Sequence, residues 1–116
     1  MRYMLMFKPD VAPAPGELPC KQHLPAMATL MTDLKRKGIV LATEGLMPSD
    51  TGARVRFNGG RISVKDGPFA EAKELVAGFA IVNVKSRDEA LDLAKQFLQI
   101  AGGGVSDVLE VHEPAV

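Results

Sequence analysis

The run Asp66-Gly67-Pro68-Phe69, followed by Ala70-Glu71-Ala72-Lys73-Glu74, concentrates the residue types that can do chemistry in this chain. A carboxylate set between a strand end and a Gly-Pro turn is held on stiff backbone. The neighbouring Phe69 can form an apolar wall, and exclusion of water raises a carboxyl pKa. Asp66 therefore reads as a general base or ligand anchor. It reads equally well as a turn cap that bonds its own downstream N–H groups. Gly67 and Pro68 supply turn geometry. Glu71 and Lys73 extend the set, because two carboxylates held close together push one pKa up and yield a usable acid. The competing picture is a solvated helical turn with Glu71 and Lys73 pointing apart, which is the preferred picture for Glu74.

Four further positions carry chemical potential. His23 is the best single titratable group near neutral pH, although a histidine beside an irregular helix start more often serves as a surface or capping residue. Glu44 leaves the end of an inner strand, where sites in such folds often sit; its alternative is an exposed loop residue. Arg56 can pair with a substrate carboxylate, or simply lie on the wet face of its strand. Cys20 and His23 are three residues apart, but two ligands do not make a metal site, so none is expected. Met27 and Met31 read as core filler, and His112 as structural. The chain contains no Gly-rich phosphate loop, nucleophile elbow or zinc pattern.

Composition narrows the class. At 116 residues with 47% hydrophobic and 24% charged residues, the chain reads as one soluble domain spanning 1–116. Its formal net charge is +0 with no basic stripe, which argues against direct nucleic-acid binding. The single Cys20 cannot form an internal disulfide, so a cytoplasmic location is expected. No apolar run reaches membrane-spanning length, and no membrane partner is expected.

The elements that must position these residues follow from pattern. Tyr3 to Phe7 is nearly unbroken apolar sequence and reads as a buried strand. Val11 to Pro19 holds three prolines and a glycine, a loop. From Cys20 to Lys37 the spacing of Leu24, Met27, Leu30, Met31 and Leu34 is helical, with Pro25 near the start and Gly38 as the stop. Ile39 to Ala42 is a second strand. Arg54 to Phe57 alternates as a half-buried strand does. Asn58-Gly59 signals a hairpin turn, and Ile62 and Val64 form the returning arm. Gly78 to Val84 reads as a central strand covered on both faces. Ser86-Arg87-Asp88-Glu89 is a capping box. It opens a helix with Ala90, Leu91, Ala94, Phe97 and Leu98 on one face. Gly102 to Gly104 ends that helix, and Val105 to Val111 supplies the last strand.

The order strand, helix, strand, hairpin, strand, helix, strand predicts an α+β fold, a mostly antiparallel sheet with two helices on one face. No element is left to cover the second face. The unbroken apolar character of Phe79 to Val82 therefore predicts a homodimer with sheets packed face to face.

The segments Glu44-Gly45-Leu46-Met47-Pro48, Val55-Arg56-Phe57, Asp66-Gly67-Pro68-Phe69-Ala70-Glu71 with Lys73-Glu74, Gly78-Phe79, Val84-Lys85-Ser86 and Glu89-Ala90 resemble the DGPF branch of the YCII-related proteins. The resemblance runs from Met1 to about Leu98. It implies a ferredoxin-like fold that pairs into a dimeric α/β barrel. It also implies a bacterial protein, in a branch with some members associated with extracytoplasmic-function sigma factors. The wider group resembles a set of small enzymes using a histidine and an aspartate. Aligned without gaps, that histidine falls at about Met27, and His23-Leu24 sits one turn earlier. Gln96 to Ile100 holds no counterpart of the aspartate. Ala72 stands where the branch usually has threonine, and Asp92-Leu93 where a tryptophan is expected.

Two functions are consistent with these residues. One is a small-molecule binder or cofactor-independent acid–base enzyme (a lyase, isomerase or hydrolase) with Asp66, Glu71 and His23 as catalytic groups. Glu44, Arg56, Phe69 and Lys73 would contact an unidentified small molecule. The other is a non-catalytic dimeric accessory protein linked to transcription. A closed pocket lined by Asp66, Glu44 and Phe69 favours the first; an exposed apolar patch around Phe69, with Asp66 turned onto its own backbone, favours the second.

Overall fold

The computed structural model describes residues 1–10, 24–47, 52–68 and 75–114. The elements run β1 (Arg2–Lys8), α1 (Leu24–Arg36), β2 (Val40–Gly45), β3 (Ala53–Asn58), β4 (Arg61–Asp66), β5 (Gly78–Asn83), α2 (Arg87–Ala101) and β6 (Val105–Glu110). Four strands form one antiparallel sheet in the order β2-β5-β1-β6. With the hairpin set aside, this is the ferredoxin-like arrangement of an α+β fold. Strands β3 and β4 form a separate two-stranded sheet.

Strand alternation sorts the large sheet into two faces. Tyr3 and Leu5 pair with Val82 and Ala80, and all four are buried under the helices. Met4 and Met6 pair with Ile81 and Phe79 on the opposite face, where all four are only half-buried. Leu109 and Val105 join that face opposite Met4 and Lys8 and are exposed. The central strand β5 is thus fully covered on one face only, because both helices pack on the same side.

Helix α1 contributes buried Leu34, with Met27, Leu30 and Met31 packed against the core. Pro25 stands in its first turn, where a missing N–H costs nothing. Residues 20–23, expected at its start, lie outside the described residues. Gly38 ends it at φ 76, donating to the Lys35 carbonyl. Helix α2 begins at Ser86, whose hydroxyl accepts from the Glu89 N–H at 3.2 Å. Its buried stripe is Ala90, Leu93, Ala94 and Phe97. Leu93 takes the place expected of Leu91, because positions at i, i+3, i+4 and i+7 share the face turned to the sheet. Gly102 closes the helix in the left-handed region, its N–H donating to Leu98.

The hairpin turn differs from expectation by one residue. Its central pair is Gly59-Gly60, at φ 60 and 79, with Asn58 paired to Arg61. Two glycines meet the positive-φ requirement with no Cβ penalty. This register also sets Val55 opposite Val64 and Phe57 opposite Ile62, whereas a turn one residue earlier would set Arg56 against Arg61. Both hairpin strands are exposed along their whole length. The expected half-burial is absent because they pack chiefly on each other.

Candidate functional site

The two helices and the sheet do not close completely. Between them lies a cavity of about 210 Å³. Met27 and Met31 come to it from α1, Phe97, Leu98 and Ala101 from α2, and Leu5 and Phe7 from β1. Thr43, Glu44 and Gly45 of β2, Ala77 through Ala80, and Ser106 from β6 complete the described lining. The lining is therefore overwhelmingly apolar. The Thr43 hydroxyl donates to the Phe79 carbonyl at 2.9 Å, which fixes its orientation. Glu44 is the one ionisable residue among the described lining. Alternation along β2 turns Thr43 toward the helices and Glu44 toward the open face, so the exposed Glu44 meets the cavity at its rim.

Why the space exists follows from side-chain size. Gly78 lies in this wall, and a Cβ there would come within 3.1 Å of the Glu44 carbonyl oxygen. Strands β2 and β5 approach closely at that point because Gly45 pairs with Gly78. Two glycines side by side leave nothing to fill the adjoining volume. Ala77, Ala80 and Ala101 are similarly short.

The other candidate residues are distributed differently. Asp66 ends β4, paired with Ala53, and is exposed. It is not among the cavity's described lining. The Gly67 N–H, the nearest downstream donor, goes to the Gly52 carbonyl at 2.8 Å. The Gly67–Pro68 peptide is cis. Arg56 lies on β3 opposite Ser63, on the hairpin face that also carries Arg54, Arg61 and Lys65. His23, Phe69, Glu71 and Lys73 lie outside the described residues, as do Cys20 and Glu74. Among the described residues no group of three His, Cys, Asp or Glu could hold a metal ion.

Of the expected site residues among those described, Glu44 alone lines the cavity. Met27 lines it too. The sequence signal that would have located the cavity was the helical Met27–Met31 pair, which reads as core filler. Both residues are in fact half-buried and bound the space. The small-residue wall at Gly45, Ala77 and Gly78 had no such signal, since nothing in the sequence pairs Gly45 with Gly78.

Among the described residues, the groups with resolved electrostatic perturbation lie away from the cavity. Hydrogen bonds from Lys37 and Arg36 hold Asp33 below its ordinary value. The Arg2 hydrogen bond likewise lowers Glu113, and Glu113 in turn raises Arg2. These pairs sit at the end of α1 and beside β1, and they serve local structure. Among the described residues no helix is long and apolar enough to cross a membrane.

Comparison with known proteins bears on the whole chain. Residues 1–113 match the YCII-related domain. A stretch of 50 residues is 46% identical to a protein of Rhizobium meliloti (strain 1021) described as uncharacterized. That match covers 43% of this chain and 40% of the relative's own length.

Proposed function

This chain belongs to the YCII-related family, and on that premise we propose that it binds a compact, largely apolar small molecule between its helices and sheet. The observation that carries the reading is the cavity lining: about 210 Å³ of apolar wall with one carboxylate residue, Glu44, at its rim. A dry apolar cavity of about 150 Å³ admits benzene, so this space suits one substituted ring or a short branched chain.

The chemistry proposed for the site is acid–base catalysis without a cofactor, of the lyase, isomerase or hydrolase type. Asp66, Glu71 and His23 are proposed as its proton-transferring groups, with Arg56, Phe69 and Lys73 as further ligand contacts. For Asp66, support comes from its exposure and from the engagement of the Gly67 N–H by Gly52 rather than by its own carboxylate. The active unit is proposed to be a cytoplasmic homodimer with sheets face to face. The half-buried Met4, Met6, Phe79 and Ile81 on one uncovered face support that pairing.

A second reading, a non-catalytic dimeric accessory protein linked to extracytoplasmic-function sigma factors, is favoured by the exposed apolar side chains of the hairpin. Titration with benzylamine and with benzoate separates the two. The binder reading expects one or both probes to bind the wild type and to lose that binding in Ala101→Phe, which fills the cavity from α2. Failure of both probes and of larger homologues to bind contradicts it and favours the accessory reading.

A further inference from the structure

Strand register sorts the polar side chains that border the cavity. Three of its described lining residues carry one: Thr43, Glu44 and Ser106. Thr43 pairs with Ala80, which is buried beneath the helices, so it faces the cavity side of the sheet. Its hydroxyl is already engaged by the Phe79 carbonyl at 2.9 Å. Glu44 pairs with Phe79, on the opposite, open face. Ser106 pairs with Phe7, which alternates in step with buried Tyr3 and Leu5. Its side chain therefore stands on the helix-covered face, and it is half-buried there. Among the described residues its hydroxyl makes no hydrogen bond.

The same register places this hydroxyl relative to the rest of the space. Ser106, Phe7, Gly78 and Gly45 form one row across the four strands. The polar group is at the β6 end of the row, and the two glycines are at the β2 end. Met27, Met31 and Phe97 face the sheet from the helices. Thioether and aromatic side chains of this kind pack well on a ring. A ligand that fills the cavity excludes water from the Ser106 hydroxyl. Left unpaired beneath a ligand, that hydroxyl opposes binding; paired with it, it favours binding.

We infer that Ser106 is a binding residue of the cavity and fixes the orientation of its ligand, a ring-sized apolar body with one terminal hydrogen-bonding group directed at β6. The inference rests on the small-molecule binding of the proposed function and adds the ligand's polar end and its partner. A hydroxyl both donates and accepts, so an oxygen or a nitrogen serves at that end. One polar group is selected rather than two, because Thr43 is engaged and Glu44 is turned to the other face.

Phenol and toluene present a hydroxyl and a methyl on the same ring. Their dissociation constants are measured by calorimetry on wild type, Ser106→Ala, Ser106→Thr and Ser106→Val, with circular dichroism to confirm folding. Ser106→Ala should weaken phenol about fivefold and leave toluene within about twofold. Threonine and valine match in shape and differ in the hydroxyl, so phenol should prefer Ser106→Thr to Ser106→Val by a similar factor. Toluene should show no such preference. The threonine and valine pair decides the matter by itself if Ser106→Ala does not fold. Phenol and toluene responding alike to loss of the hydroxyl overturns the role of Ser106 and leaves the binding cavity standing. Neither probe binding the wild type, or both binding Ala101→Phe as tightly as the wild type, overturns the cavity reading and the inference with it.

Discussion

At the scale of single residues, burial decides which substitutions matter. Leu34 is 6% exposed in the core beneath α1. Leu34→Ala removes its packing and leaves a cavity, an expected loss of about 2–5 kcal/mol in urea unfolding. Asp66→Ala should be nearly neutral for stability, within about 0.5 kcal/mol, because the carboxylate is exposed and the turn behind it is tied by Gly67 N–H to Gly52. A loss near 2 kcal/mol would show instead that Asp66 holds the turn. The sequence made Asp66 conspicuous because carboxylate, glycine and proline stood together. It could not show that the Gly67 N–H was already satisfied, since Gly52 meets Gly67 only through the pairing of two strands.

At the scale of elements, termini and glycines carry the testable energetics. Ser86 caps α2 through its hydroxyl, and Ser86→Ala should cost about 1 kcal/mol. At Gly104, φ is +110 and a Cβ would lie 2.9 Å from the Lys8 carbonyl oxygen. Gly104→Ala should therefore cost about 1–3 kcal/mol. At the end of α1, hydrogen bonds from Lys37 and Arg36 stabilise ionised Asp33 and hold its pKa below 3.8. A carboxyl depressed in the folded state stabilises fully above its unfolded value and loses that contribution as pH falls through its folded one. The gap in urea midpoint between wild type and Asp33→Asn should thus be present at pH 7 and close below pH 3.8; a gap that widens on acidification would contradict the assignment. The capping box, the helical spacing of α1 and the Gly38 stop were legible because each is a local pattern. The hairpin turn shifted by one residue because Gly59-Gly60 and Asn58-Gly59 are both good turns, and only cross-strand pairing chooses between them.

At the scale of the whole molecule, a single helical layer on a four-stranded sheet leaves two consequences. The helices cover one face, so Met4, Met6, Phe79 and Ile81 line a face that no element among the described residues covers fully. On the covered side, small residues along β2 and β5 prevent the helices from filling the interior. The element order foretold the first, because seven segments with two helices can cover only one side. It did not foretell the second, since Gly45, Ala77 and Gly78 converge only when β2 meets β5. The resulting cavity is the proposed ligand site. Its most direct test is a thermal-shift screen of compact aromatic and short-chain metabolites, run in parallel on wild type and Ala101→Phe, which fills the cavity from α2. A ligand at a hundred times its Kd stabilises by about 2.7 kcal/mol, several degrees of Tm in a domain this size. Some compounds should raise the wild-type Tm and leave folded Ala101→Phe unmoved. Compounds that shift both proteins equally, or a screen in which none shifts the wild type, would contradict it.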